Sequence, residues 1–134
     1  MLVEMRLSRI IISDIHDHQI VYLKEVDGER EFPIVIGRYE ASSIERRVRK
    51  EKLVPRPLTH DLVVNVIHEL KGELESIQIH DMQDATYFAK ICIKKDGEMI
   101  EVDSRPSDAL AVAVTCDPVL PVFVEDSVIE AAGA

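Results

Sequence analysis

The sequence predicts an α+β fold: a single compact domain spanning residues 1–134, with a mostly antiparallel or mixed, curved sheet and about three main helices, one of them central and buried. Three observations predict it. Segments with the two-residue period of half-buried strands recur along the chain, as in Gly97-Glu98-Met99-Ile100-Glu101-Val102-Asp103. Tight-turn pairs, Asp27-Gly28 and Asp96-Gly97, join such segments at hairpin spacing. Between the later strands runs Ala109-Leu110-Ala111-Val112-Ala113-Val114, apolar on nearly every face and too short to span a membrane. A chain of 134 residues can bury roughly two-thirds of its unfolded surface in one core. With 46% apolar and 4% aromatic residues, that core is aliphatic.

Residues 2–12 alternate through Val3, Met5 and Leu7 and read as a long strand. The polar turn Ser13–His18 leads into a returning strand over 19–26. Glu31–Gly37 is a third strand, with Pro33 marking its start or an edge, and the three suggest an antiparallel meander. From Arg38 to Lys52, Ala41, Ile44 and Val48 fall on one helical face and the basic residues on the other. Pro55 and Pro57 break that helix. A second helix begins near Thr59, expected as its N-cap, with Asp61 favouring the positive end of the dipole. Leu62, Val63, Val66, Ile67 and Leu70 make its apolar face, and Gly72 stops it. Strands follow over 74–82 and 86–93, turning at Asp84-Ala85, and then over 97–103. Pro106 suits the first position of the buried helix. Asp117-Pro118 breaks the chain, 120–124 forms a short strand, and 126–132 a short terminal helix.

Cys92 and Cys116 form no disulfide framework and no CxxC motif, which suggests buried free thiols. No signal-peptide pattern or long apolar stretch is present, so a cytoplasmic, non-membrane setting is the expectation. The net charge of −9 is not that of a typical nucleic-acid binder. It is uneven, however: residues 38–56 carry seven basic and three acidic groups, a local +4 against −13 for the remainder. Such a segment can steer a polyanion, form a solvated helix face, or dock on another subunit.

Four clusters carry candidate chemistry. Asp14-Ile15-His16-Asp17-His18 has the residue types of a metal loop, but also those of a solvated hairpin turn. Arg56-Pro57-Leu58-Thr59-His60-Asp61 places a guanidinium, a hydroxyl, an imidazole and a carboxylate at a helix start. Asp103-Ser104-Arg105-Pro106-Ser107-Asp108 offers an anion site at another helix start, or caps that helix while Arg105 pairs with an acid. Glu40, in Gly37-Arg38-Tyr39-Glu40-Ala41, can serve a metal, acid/base work or the helix dipole. Phosphodiester cleavage needs cations on the phosphate, an acid/base pair and often a metal held by carboxylates. Arg56, Arg105, His60, Glu40, Asp61, Asp103 and Asp108 supply that set if the fold brings them together. P-loop, GxSxG, HExxH and dinucleotide GxGxxG motifs are absent.

Phe32-Pro33-Ile34-Val35-Ile36-Gly37, Glu40-Ala41, Arg56-Pro57-Leu58-Thr59-His60-Asp61-Leu62 and Asp103-Ser104-Arg105-Pro106-Ser107-Asp108-Ala109-Leu110-Ala111, in this order, resemble the bifunctional nuclease family. The resemblance extends to Ala85-Thr86-Tyr87-Phe88-Ala89 and the closing Pro121-Val122 strand, and so covers nearly the whole chain. It implies a compact α/β domain, homo-oligomers (a dimer or higher), and nucleic acid as substrate, with RNA and DNA both degraded by plant members. The resemblance carries over no catalytic residues; by their own chemistry, His60, Asp61, Glu40 and Asp108 are candidate catalytic residues. Arg56, Thr59, Arg105 and Ser107 are candidates for binding phosphate. A divalent metal, Mg2+ or Mn2+, would fall to Glu40, Asp61, Asp103 or Asp108. Two rival expectations use the same residues: a non-catalytic oligomeric module that binds a small anion or a protein partner, and a phosphate-ester hydrolase of small nucleotides. Oligomers are expected to form by pairing of the long N-terminal strands.

Overall fold

The computed structural model describes residues 1–13, 15, 17–48 and 55–133. Asp14 and His16 of the polar turn, the end of the first expected helix and Leu53-Val54 lie outside them. Among the described residues the strands are β1 Leu2–Ile11, β2 His18–Glu25, β3 Glu31–Gly37, β4 Glu73–Gln83, β5 Thr86–Lys95, β6 Glu98–Ser104 and β7 Val122–Glu125. The helices are α1 Arg38–Val48, α2 Thr59–Glu69, α3 Pro106–Thr115 and α4 Asp126–Ala131. No described helix is long and apolar enough to cross a membrane.

The strands form one mixed sheet in the order β3-β2-β1-β7-β4-β5-β6. The first three pair as the expected antiparallel meander. Pro33 sits on β3, an edge strand, where a missing ladder donor is tolerated. The last strand inserts at the centre, antiparallel to β1 and parallel to β4. The sheet is strongly curved. Phe32 on β3 and Tyr87 on β5 have ring centroids 6.0 Å apart, although four strands lie between theirs in the sheet.

Helix α3 is the central buried element. Its Ala109, Leu110, Ala111, Val112 and Ala113 are all fully enclosed. It packs on β4 and β5 and also receives α1 and α2. On α1, Ala41 and Ile44 face the core as their spacing requires, while Val48 is exposed. The basic face expected for this helix is not a solvated one at Arg46 and Arg47. Their side chains are 15% and 22% exposed and turn inward to Asp61, because a buried carboxylate on α2 demands counter-charge.

Helix α2 departs from its amphipathic reading. Val64 is its buried residue, Val63 and Ile67 are half-buried, and Leu62, Val66 and Leu70 are exposed. The apolar stripe therefore meets the core only through Val63 and Ile67. It runs beside Ile91, Ile93 and Val102 of β5 and β6, where it walls a groove of about 360 Å3. Nor is Thr59 the N-cap. The cap residue is Leu58, and Asp61 reaches back to accept its N–H at 2.9 Å. At the other end Lys71, not Gly72, takes the left-handed conformation (φ 67°). Gly72 answers a need for space: a Cβ there would stand 3.0 Å from Cγ2 of both Ile67 and Ile93.

Candidate active site

Three helices bring one cluster together. Helix α1 follows directly on Gly37, so Glu40 and Ser43 lie one turn apart on one face. Gly37 leaves room for this, because a Cβ there would meet Oε2 of Glu40 as that side chain folds back and would displace it. Helix α2 contributes His60 from its first turn, and α3 contributes Asp108 from its own. Arg105 is the N-cap residue of α3 but makes no side-chain capping bond. Its guanidinium is drawn instead to two carboxylates.

The result is a linear chain of hydrogen bonds. Arg105 Nη2 donates to Glu40 Oε1 at 2.6 Å, and Arg105 Nε donates to Asp108 Oδ2 at 2.9 Å. The other Asp108 oxygen, Oδ1, lies 3.0 Å from His60 Nε2. On the far side of the ring, His60 Nδ1 lies 2.8 Å from Ser43 Oγ. Burial alone would push the Asp108 carboxyl up, but the bonds from His60 and Arg105 and the guanidinium charge outweigh it and hold it below the ordinary value. The same two carboxylates hold the Arg105 guanidinium protonated more firmly than usual.

An ionised Asp108 only accepts hydrogen bonds, so it selects the imidazole tautomer with hydrogen on Nε2. In the neutral ring Nδ1 then carries the lone pair, which can accept from the Ser43 hydroxyl. Serine, histidine and aspartate thus stand in the order of a hydrolytic triad, with the two ring nitrogens exchanged relative to the serine-protease arrangement. The His60 side chain is 13% exposed and forms a partition between two open clefts, each of about 470 Å3. The first is lined by Glu40, Asp103, Ser104, Arg105 and Asp108. Ser42, Ser43, Arg46 and Leu58 line the second. Tyr39 and Thr59 border both.

Of the residues singled out from the sequence, Glu40, His60, Arg105 and Asp108 come together, with Thr59 and Asp103 at the cleft walls. Asp61 points away, to Arg47 and to Arg46 at 3.9 Å, and ties α2 to α1. Ser107 is buried within α3, and Ser104 Oγ bonds the Arg105 carbonyl at 2.8 Å. Arg56 is exposed and lines neither cleft. Asp108 lies in the first turn of α3 and Arg105 pairs with acids, as one reading of the sequence expected, but neither Ser104 nor Asp108 makes a side-chain capping bond. Ser43 was missed, and so was Arg46 as a cleft residue. The available signal was Ser42-Ser43 inside a helix, where hydroxyl residues are weak formers, spaced three residues after Glu40.

Among the described residues no three His, Cys, Asp or Glu side chains converge to hold a metal ion. Arg105 accounts for this at the cluster, because it stands between Glu40 and Asp108 and takes an oxygen from each. Asp61 is likewise committed to Arg47 and the Leu58 N–H. Among the described candidates, Glu40, Asp61 and Asp108 are thus each already paired with a cation.

The family model described as "Bifunctional nuclease domain" matches residues 21–134. An uncharacterised protein of Mycobacterium tuberculosis is 34% identical over 130 residues, which is 97% of this chain and 76% of that protein. Bifunctional nuclease 1 of Oryza sativa subsp. japonica is 25% identical over 109 residues, 78% of this chain and 33% of the relative. Bifunctional nuclease 1 of Arabidopsis thaliana is 25% identical over 108 residues, again 78% of this chain and 33% of the relative. The chain spans about a third of the length of these plant relatives.

Proposed function

Because the chain belongs to the bifunctional nuclease domain family, we propose that it hydrolyses phosphodiester bonds of RNA, DNA or both, with His60 as the proton-transfer group. The observation that carries this is the placement of His60 between Ser43 and Asp108 at the wall of two clefts. The likeness to bifunctional nucleases of plants supports nucleic acid as the substrate class. Asp108 is a positioning residue that fixes ring and tautomer, and Arg105 and Glu40 hold Asp108 in turn. Arg105, already shared by two carboxylates, is poorly free to clamp phosphate. Arg56 is exposed before the start of α2 and can serve in capture. A divalent ion, Mg2+ or Mn2+, would enter with the substrate phosphates rather than on a protein cage.

One observation favours the rival, non-catalytic module. The Glu40–Arg105–Asp108 bonds join α1 to α3 and would pin helix starts without any chemistry. In that case Arg105→Ala lowers the melting temperature and there is no activity to lose. We also propose self-association through β6, an edge strand with exposed Met99, Ile100 and Val102, next to the apolar groove of α2.

The test is cleavage of labelled single-stranded RNA and DNA by the protein and by His60→Ala purified in parallel, with Mg2+, Mn2+ or EDTA. The expected result is cleavage that follows the unaltered protein and falls at least about 100-fold in the variant. Equal cleavage by both would overturn the assignment of His60, and none by either would favour the module.

A further inference from the structure

We propose that Ser43 is the nucleophile of this site and that the scissile phosphate sits on the Ser43 side of His60, in the cleft of Ser42, Arg46 and Thr59. The proposal rests on the nuclease reading and adds to it the attacking atom and the face of attack.

Three observations lead there. The first is direction. With Nε2–H committed to Asp108, the basic nitrogen of His60 is Nδ1, and the atom in contact with it is Ser43 Oγ at 2.8 Å. The second is the contrast between the clefts. Glu40, Asp103 and Asp108 line one, against the single cation Arg105, which is already bonded to two of them. A phosphodiester anion is repelled from such a surface. The lining of the other includes no carboxylate among the described residues; it offers Arg46 and the hydroxyls of Tyr39, Ser42, Ser43 and Thr59. The third is an unmet donor. Arg46 Nε, like Arg47 Nε outside the cleft, is buried without a hydrogen-bond partner among the described residues, and Asp61 stands 3.9 Å from the Nη2 of the Arg46 guanidinium. A buried donor left unpaired is costly unless something accepts from it.

The reaction balances without a further reagent. Ser43 Oγ gives its proton to His60 Nδ1 and forms a bond to phosphorus. The nucleoside oxygen leaves on the opposite side, as in-line displacement requires, and takes a proton from a water in the cleft. The hydroxide so formed attacks phosphorus from that open side and the bond to Oγ breaks. Oγ recovers its proton from Nδ1. One diester and one water give a monoester and an alcohol. Nothing in this sequence depends on a 2′-hydroxyl, so RNA and DNA are both substrates.

The test uses a fluorophosphonate probe, which labels activated serine hydroxyls without any need for turnover, alongside the cleavage assay. Site-resolved mass spectrometry is expected to find the adduct on Ser43 of the unaltered chain. It should be absent in Ser43→Ala and at least tenfold weaker in His60→Ala. Ser43→Ala is also expected to lose cleavage as fully as His60→Ala does. Should Ser43→Ala melt early, Ser43→Cys preserves the side-chain size, and its alkylation by iodoacetamide at position 43 is expected to depend on His60. No adduct at Ser43, together with a Ser43→Cys thiol no faster with His60 than without it, would overturn the proposal. Cleavage kept by Ser43→Ala but lost by His60→Ala would also overturn it and leave the nuclease reading intact, with water as the direct attacker. A His60-dependent adduct on Ser43 with no cleavage of either nucleic acid would keep the nucleophile and overturn the nuclease reading.

Discussion

Asp108 decides what His60 can do. Its two oxygens are divided between an imidazole and a guanidinium, and only an ionised carboxylate can accept from both. Gly37 supports the same chain of contacts from the other end, by leaving room for Glu40. Gly37→Ala is therefore expected to displace the Glu40 carboxylate from Arg105 and to lower cleavage about 10- to 100-fold, measurable as kcat/KM. Elsewhere single residues carry strain unconnected with the site. Ala85 adopts φ 64° in the turn between β4 and β5, a conformation costly for a residue with a Cβ. Ala85→Gly is expected to raise stability by about 1 kcal/mol in denaturant unfolding, with cleavage unchanged. At this scale the sequence was legible for residue type and not for partner. Arg105, His60, Glu40 and Asp108 announce chemistry by their side chains and by helix-start positions. Ser43 does not, because a serine in a helix has many uses and its value here comes from an imidazole seventeen positions away.

At the scale of elements, α1 and α2 are clasped by Asp61 with Arg46 and Arg47. Burial pushes the Asp61 carboxyl up, but the Leu58 N–H and the two guanidinium groups prevail and hold it below its ordinary value. Asp108 is lowered too, so both carboxylates bind protons more weakly in the folded chain than in the unfolded one. Their contribution to stability is complete above the ordinary aspartate value of 3.8 and is lost as pH falls through the depressed one. The melting temperature is expected to be level from about pH 7 to 5 and to drop below about pH 4, less steeply in Asp61→Asn. Asp61→Ala leaves two guanidinium groups without their carboxylate and is expected to cost about 3 kcal/mol. The buried helix α3 was legible, since Pro106 fixes its start and six unbroken apolar residues leave no polar face. The orientation of α2 was not. Periodicity gives a stripe, and which neighbour covers the stripe depends on tertiary packing.

The whole molecule is a curved sheet with α3 at its centre, and the site lies where α1 and α2 meet the start of that helix. Hairpin pairing was legible from turns such as Asp27-Gly28 and Asp96-Gly97. The central place of β7 was not, because four residues with one alternation carry no record of distant partners. That placement bears on the expected route to oligomers. Of the N-terminal strands, β1 is paired on both sides, to β2 and β7, and β2 to β1 and β3, while β3 keeps a free edge. β6 has one, and sedimentation at micromolar concentration is expected to show a dimer or higher oligomer that Ile100→Glu converts to a monomer. A monomer before substitution would contradict assembly through this edge.

The measurement closest to the central claim, that Asp108 orients His60 for phosphodiester hydrolysis, is cleavage by Asp108→Asn. An amide at this position keeps the volume and one acceptor but can donate to Nε2, which places the ring hydrogen on Nδ1, facing Ser43. The expected result is an unchanged circular dichroism spectrum with kcat on labelled single-stranded RNA or DNA reduced about 10²- to 10⁴-fold. Cleavage at the rate of the unaltered protein would contradict the claim and remove Asp108 from any part in the chemistry.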